Sequence, residues 1–236
     1  MEKTFQTLRQ KLRPYAKQKK WNKVFCIGTH KTGTTTLNLI FYLIGFDCAP
    51  QHEIEISTTE QVQYGIYREL FNKVNAYDFF QDSPFAEGST YVALDAYFPQ
   101  SKFILTYRDP ENWFDSMIKF DQRNLNTKNI NQSDIENYGY LREDYMIKHK
   151  EYIYLSEIDE KNNFNVKYNW NLLYDKNHYI DIYIKRRDEI VKYFQRRPQD
   201  LLIIDLTKEK DIKKITDFLD LPDFINFSVP RLNSTD

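Results

Sequence analysis

The chain has 236 residues, with 33 Lys and Arg against 34 Asp and Glu, so its formal net charge is −1. Hydrophobic residues make up 41% and aromatics 16%, enough for a substantial core, which excludes intrinsic disorder. The neutral balance argues against a nucleic-acid partner, and two cysteines, Cys26 and Cys48, in apolar surroundings exclude a disulfide framework and read as buried thiols.

Taken in chain order, the first 23 residues hold eight lysines and arginines and one acid, Glu2; this local +7 leaves −8 for the other 213 residues. Residues 1–22 read as a basic helix. A solvated amphipathic face is the plain interpretation, and an anion-steering or membrane-surface role is the alternative. Lys23–Gly28 is a short, β-rich apolar run that stops at a glycine. Thr35 to Gly45 follows with helical spacing, Leu37, Ile40, Phe41 and Ile44 sharing one face. The longest apolar run, Leu37 to Phe46, has 10 residues including Asn38, against roughly 20 for a membrane span. No secretory signal is read either, so a cytoplasmic protein is expected.

A helix over 58–75, a short strand at Tyr77–Phe80 and a helix over 89–98 come next. Lys102–Tyr107 reads as a buried strand closed by Arg108-Asp109-Pro110, and Pro110 suits the first turn of a helix running to Leu125. No proline lies between Pro110 and Pro198, and residues 119–180 are rich in Asn, Tyr and Lys. Helical patterns dominate there, clearest at 179–194, so 119–198 reads as a mainly helical elaboration within a single domain spanning 1–236. Leu201–Leu206 is a last buried strand, before a short helix over 211–219. Strand-then-helix repetition with continuous apolar strands predicts an α/β fold, a parallel sheet flanked by helices on both faces.

The strongest local signal is the segment 28–36, Gly-Thr-His-Lys-Thr-Gly-Thr-Thr-Thr, between a predicted strand and a predicted helix. A loop there can aim backbone N–H groups and a helix N-terminus at one anion. Gly33 lets the backbone come close to the ligand, the hydroxyls of Thr34, Thr35 and Thr36 add donors, and Lys31 adds a full positive charge. Gly28 and Gly33 have the spacing of the pattern G-x-x-x-x-G-K-[ST], but Thr34 stands where that pattern has lysine. The cation is relocated to Lys31.

Lys31-Thr32-Gly33-Thr34-Thr35 resembles the K-[ST]-G-T-[TS] loop of sulfotransferases that use 3′-phosphoadenosine 5′-phosphosulfate (PAPS). Arg108 after the strand KFILTY, with Ser116 eight residues on, resembles the family's R-[DN]-P…S element. The resemblance implies a P-loop NTPase-like sheet. It also implies that Lys31, Thr32, Gly33, Thr34, Thr35 and Thr36 hold the 5′-phosphosulfate, and that Arg108 and Ser116 hold the 3′-phosphate. The cofactor is then PAPS, the product adenosine 3′,5′-bisphosphate, and the acceptor a small molecule or carbohydrate carrying a hydroxyl or amine. Arg231 in the tail is a further 3′-phosphate contact in the same reading. Residues 119–180 match no part of the pattern.

The chemistry is consistent with these residues. A planar guanidinium suits a phosphate better than a point cation. Sulfuryl transfer is an in-line displacement helped mainly by positioning and electrostatics, so Lys31 can neutralise charge on the leaving phosphate in place of a metal ion. No His, Cys, Asp or Glu cluster has metal-ligand spacing, and no metal is expected. The candidate general base is Asp82, after the strand 77–80 and two residues before Pro84, a position where several sulfotransferases carry a His or an acid. A turn or helix-capping role for Asp82 is its alternative. His30 and His52 are the other candidates for the base, while His149 and His178 read as solvated or core histidines. Two rival readings remain: an ATP-dependent kinase using Asp82 or Asp205 to hold Mg²⁺, and a nucleotide-binding module without turnover.

Overall fold

The β-rich run at 23–28 forms strand β1, Val24–Cys26, buried along its whole length. The computed structural model describes residues 2–136, 152–158 and 164–230. The chain divides into two compact units, Met1–Arg108 with Ile190–Asp236, and Asp109–Glu189.

In the first unit, β1 lies between β2 (Phe79–Phe80) and β3 (Lys102–Thr106), and β3 carries β6 (Leu201–Ile204) on its far side. All three pairings are parallel, with Phe25 opposite Phe80, Cys26 opposite Ile104 and Thr106 opposite Ile204. Successive side chains point to opposite faces. Val24, Cys26, Phe79, Ile104 and Ile204 build one core, joined by Leu37, Ile40, Phe41 and Ile44 of α2 (Thr34–Ile44). Phe25, Ile27, Phe80, Phe103 and Leu105 build the other, joined by Ile54 and Val62 of α3 (Gln51–Gln63), Leu70 of α4 (Arg68–Val74), Leu94 of α5 (Thr90–Tyr97) and Phe194. Burial on both faces explains why the strands read as continuous apolar runs. The chain leaves β1 for β2 on one side and then crosses to β3 on the other. That reversal, at the carboxyl ends of β1 and β3, is where open parallel sheets bind ligands.

The basic N-terminus has a structural outlet. Its helix α1, Glu2–Ala16, packs on α2 through Leu12 and Ala16. The Arg9 guanidinium donates to the carbonyls of Tyr42 and Phe46 at 2.6 and 2.8 Å, and Arg13 donates to the Gly45 carbonyl at 3.2 Å. Both arginines also bond Asp47, at 3.2 Å from Arg9 and 2.7 and 3.0 Å from Arg13. The hydrogen bonds of Arg13 and the charges of both arginines hold the Asp47 carboxyl below the usual carboxylate range, against the opposing effect of burial. Lys19 pairs with Asp78, Lys20 with Asp220, and Lys23 donates to the carbonyls of Asn75 and Tyr77. These cations serve helix ends and ion pairs within the unit.

The second unit begins with α6, Pro110–Leu125. Asp109 caps it by accepting from the Asn112 N–H at 3.0 Å, and Pro110 takes the first helical position, where a missing N–H costs nothing. Trp113 is fully buried and stacks on Tyr183 with ring centres 4.1 Å apart, and Tyr174 donates to the buried Asp121 at 2.9 Å. A short helix α7 (Gln132–Glu136) and an antiparallel hairpin, β4 (Tyr154–Ile158) with β5 (Phe164–Tyr168), complete its regular elements before the long helix Lys176–Phe194.

Three expectations need amending. The single helix over 58–75 is two helices, α3 and α4, broken at Tyr64-Gly65. The basic helix expected over 1–22 stops at Ala16, and 17–22 is a turn. The segment 119–198, expected to be mainly helical, also contains the β4–β5 hairpin. His149 and Arg231 lie outside the described residues.

Candidate active site

Where β1 ends, pairing with β3 continues for one more residue, the Ile27 N–H donating to the Ile104 carbonyl at 2.9 Å. Gly28 then lies against Thr106 so closely that a Cβ would sit 2.0 Å from Thr106 Oγ1 and 2.4 Å from its carbonyl oxygen. Only glycine fits there. The chain turns through Thr29, whose hydroxyl is 3.2 Å from His30 Nδ1, and Lys31, which has φ 65°. Gly33, at φ 99°, is the N-cap of α2, and Leu206 lies beneath it, 3.3 Å from where a Cβ would be. Its glycine character is therefore a demand of backbone conformation, with the Cβ direction closed by the core.

The hydroxyls of the loop divide in two. Thr32 turns inward: its hydroxyl donates to the Thr29 carbonyl at 2.5 Å and lies 2.7 Å from Thr106 Oγ1, so its side chain is committed within the protein. Thr34 is also buried, and donates to Asp82 Oδ2 at 3.4 Å. Thr35 is exposed and Thr36 half-buried at the open end of the helix. The helical ladder of α2 starts with the Leu37 N–H on the Gly33 carbonyl, at 3.0 Å, so the N–H groups of residues 34–36 have no intrahelical acceptor. The first turn of α2 carries no acid, and its dipole adds positive potential to that group of donors.

Asp82 follows β2 in left-handed backbone, φ 61°. Its Oδ1 accepts from the Ser83 N–H at 3.0 Å, and its own carbonyl accepts from the Ala86 N–H at 3.0 Å. Gln51 of α3 secures the next residue, donating from Nε2 to the Ser83 carbonyl at 2.5 Å. The turn-residue reading of Asp82 thus holds for its backbone, while its carboxylate reaches the loop. Arg108 is half-buried two residues past β3. Because β1, β2 and β3 run parallel, segment 28–36, Asp82 and Arg108 all follow the carboxyl ends of their strands, at one edge of one sheet. Ser116 is half-buried in the second turn of α6, in the other unit.

The remaining candidates are engaged elsewhere. His178 Nε2 is 2.6 Å from the Tyr152 carbonyl, and His52 lies on α3. Asp205, at the end of β6, accepts from the Thr207 hydroxyl and N–H at 2.6 and 3.0 Å and pairs with Lys208 at 3.3 Å, the pattern of a capped turn. Among the described residues, no group of three or more His, Cys, Asp or Glu side chains is placed to hold a metal ion. Cys26 is buried as expected but Cys48 is half-buried, and desolvation pushes the Cys26 thiol up to about 11 and the Cys48 thiol up to about 12, so both are weakly reactive at neutral pH. Sequence reasoning missed Thr106. The signal was present: a lone hydroxyl follows the buried apolar run Phe103–Leu105, and in the structure it lies against the first glycine of the loop.

The architecture defines a parallel α/β protein with a tight glycine-containing loop between its central strand and the following helix. A family model described as a sulfotransferase domain matches residues 23–236, all but the first 22 positions, and the chain belongs to that family. It is therefore a transferase of sulfuryl groups by family, which favours that reading over the kinase alternative. No curated protein matches the chain. Among the described residues, no helix is long and apolar enough to cross a membrane.

Proposed function

We propose that the chain moves a sulfuryl group from PAPS to a hydroxyl or amine on a small-molecule or carbohydrate acceptor, without a metal ion. The contact between Thr34 of the loop and Asp82 carries this reading, because it joins an anion cradle to a carboxylate able to take a proton. The residues fit the donor: unpaired helix N–H groups, an acid-free first turn and a lysine in the loop suit a phosphosulfate. When bound, the donor supplies an activated sulfuryl group on a phosphate leaving group.

The chain's own residues do the rest. The N–H groups of 33–36 and the hydroxyls of Thr35 and Thr36 bind the 5′ end. The Lys31 ammonium neutralises charge that grows on the leaving phosphate oxygen. The Arg108 guanidinium and the Ser116 hydroxyl bind the 3′-phosphate, a role supported by their spacing after β3. Asp82 accepts the acceptor's proton at a carboxylate oxygen and fixes the direction from which the acceptor approaches.

A thermal-shift comparison of adenosine 3′,5′-bisphosphate with ATP–Mg²⁺ tests the proposal. At 100 times its dissociation constant a ligand adds about 2.7 kcal/mol of stability. A shift with the bisphosphate is expected; a shift with ATP–Mg²⁺ alone would restore the kinase reading. Turnover is then measured as bisphosphate released from PAPS.

A further inference from the structure

Residues 29–32 form a tight four-residue turn, with Lys31 in its third position at φ 65°. Turns place glycine or asparagine in such a position, because in left-handed backbone a Cβ crowds the following carbonyl oxygen. The turn is closed by a side chain: Thr32 Oγ1 donates to the Thr29 carbonyl at 2.5 Å, spanning His30 and Lys31. A hydroxyl has one proton to give. With that proton committed, the 2.7 Å contact between Thr32 Oγ1 and Thr106 Oγ1 is a bond that Thr106 donates. Cys26 Sγ lies 3.7 Å from Thr106 Oγ1 and is the thiol donor on its other side. Thr106 and Cys26 are fully buried and Thr32 is 1% exposed, so water does not compete for any of these bonds. The result is a one-way chain, Cys26 to Thr106 to Thr32 to the Thr29 carbonyl, each donor polarising the next. Gly28 admits it, since any side chain there would occupy the space of the Thr106 hydroxyl.

We propose that Thr106 is a positioning residue for sulfuryl transfer: its hydroxyl, acting through Thr32, keeps the 29–32 turn closed and so keeps the Lys31 side chain aimed at the reacting group. This rests on the reading of Lys31 given above and deepens it. A strained turn needs an anchor on a rigid element, and the end of a buried central strand provides one. Loss of the anchor lets Lys31 relax to negative φ and swing its ammonium away. The N–H groups of α2, which bind the 5′ end, keep their place because the ladder from Gly33 onward is untouched.

Four variants test this: Thr106→Ala, Thr106→Ser, Thr32→Val and Lys31→Ala. Each is measured for trypsin cleavage at the Lys31–Thr32 bond (Lys31→Ala excepted), for adenosine 3′,5′-bisphosphate affinity, and for bisphosphate release from PAPS. Thr106→Ala is expected to speed cleavage at Lys31 about tenfold over other lysine and arginine sites, because an opened turn enters the protease. Its turnover should fall roughly 10- to 100-fold with affinity changed less than about threefold, the signature of a misplaced catalytic group. Thr106→Ser, which keeps the hydroxyl, should behave like wild type. Thr32→Val, which keeps the shape and drops the other end of the bond, should repeat the Thr106→Ala result without adding to it in the double variant. Wild-type cleavage in Thr106→Ala, a Ser variant no better than Ala, or equal losses in affinity and turnover would each overturn the proposal. If Lys31→Ala loses turnover while Thr106→Ala keeps it, the positioning role alone falls. If Lys31→Ala turns over normally, or the wild type does not bind the bisphosphate, the donor reading falls and takes the positioning role with it.

Discussion

The Thr34 hydroxyl donates to Asp82 Oδ2 at 3.4 Å, bringing the first residue of α2 against the second residue past β2, 48 positions away in sequence. At the long end of the hydrogen-bond range this is a weak bond. In the proposed reading, a weak bond suits a hydroxyl that shares its neighbourhood with an incoming anion, since little is lost when the hydroxyl turns away. The contact also orients Asp82, whose other oxygen is fixed by the Ser83 N–H at 3.0 Å.

Asp82→Asn is the cleanest probe of the base. Asparagine tolerates φ 61° as well as aspartate does, and it keeps one acceptor oxygen for the Ser83 N–H, its amide nitrogen facing the Thr34 hydroxyl as a donor instead. Turnover should fall by about 10²–10⁴, the usual share of general-base catalysis, with bisphosphate affinity within about threefold of wild type. Full activity in this variant would move the base to His30 or remove it from the mechanism.

Gly28→Ala should damage the fold itself. The new methyl would meet the Thr106 hydroxyl at 2.0 Å and its backbone at 2.4 and 2.7 Å, so β1 and β3 would have to separate. The cost should be at least about 2 kcal/mol in urea unfolding, at the upper end for overpacking. A variant of wild-type stability would mean that the two strands end farther apart than the structure shows.

The two arginines of α1 should contribute to stability. Arg9→Gln with Arg13→Gln removes their bonds to three carbonyls and to Asp47, at an expected cost of about 1–2 kcal/mol at neutral pH. Because the Asp47 carboxyl is held low, its share is present above an unfolded value of about 3.9 and lost as pH falls through the folded value. The gap between wild type and variant should therefore narrow below about pH 4 in urea titrations. A double variant of unchanged stability whose turnover becomes insensitive to salt would revive the anion-steering role.

Both thiols should be silent in the native protein. With burial holding Cys26 at about 11 and Cys48 at about 12, the thiolate fraction at pH 8 lies roughly two to three orders of magnitude below that of a free cysteine. Their folded values are raised, so the stability they confer is complete below about pH 8.5 and declines as pH rises toward 11. Titration with an aromatic disulfide at pH 8 should count no fast thiol in the native chain and two in denaturant. A single fast thiol in the native state would contradict the raised value of its cysteine.

The strand–loop–helix core was readable because local chemistry and tertiary need agree there. α6 runs from Pro110 to Leu125, as its sequence predicts, since Asp109 caps it and Pro110 starts it. The segment 58–75 misled because Val62, Ile66, Leu70 and Val74 recur every four residues, so the helical period carries across the break at Tyr64-Gly65. The hairpin escaped notice because each strand is five residues long and set among Asn, Lys and Tyr, and pairing of Tyr154 with Tyr168 is a relation no local pattern encodes. In the site, the loop announced itself by composition. The inward turn of Thr32 and the role of Thr106 depend on the register of β1 with β3, which only the assembled sheet reveals.

The family match begins at residue 23, yet the arginines that close the far end of α2 stand at positions 9 and 13. Expressing only the matched span would retain Lys31, Asp82, Arg108 and Ser116, while uncapping the carbonyls at the foot of the helix whose head is proposed to hold the donor. An evolutionary boundary and a folding boundary differ here by one helix. Anyone choosing where to start this protein for biochemistry should include that helix.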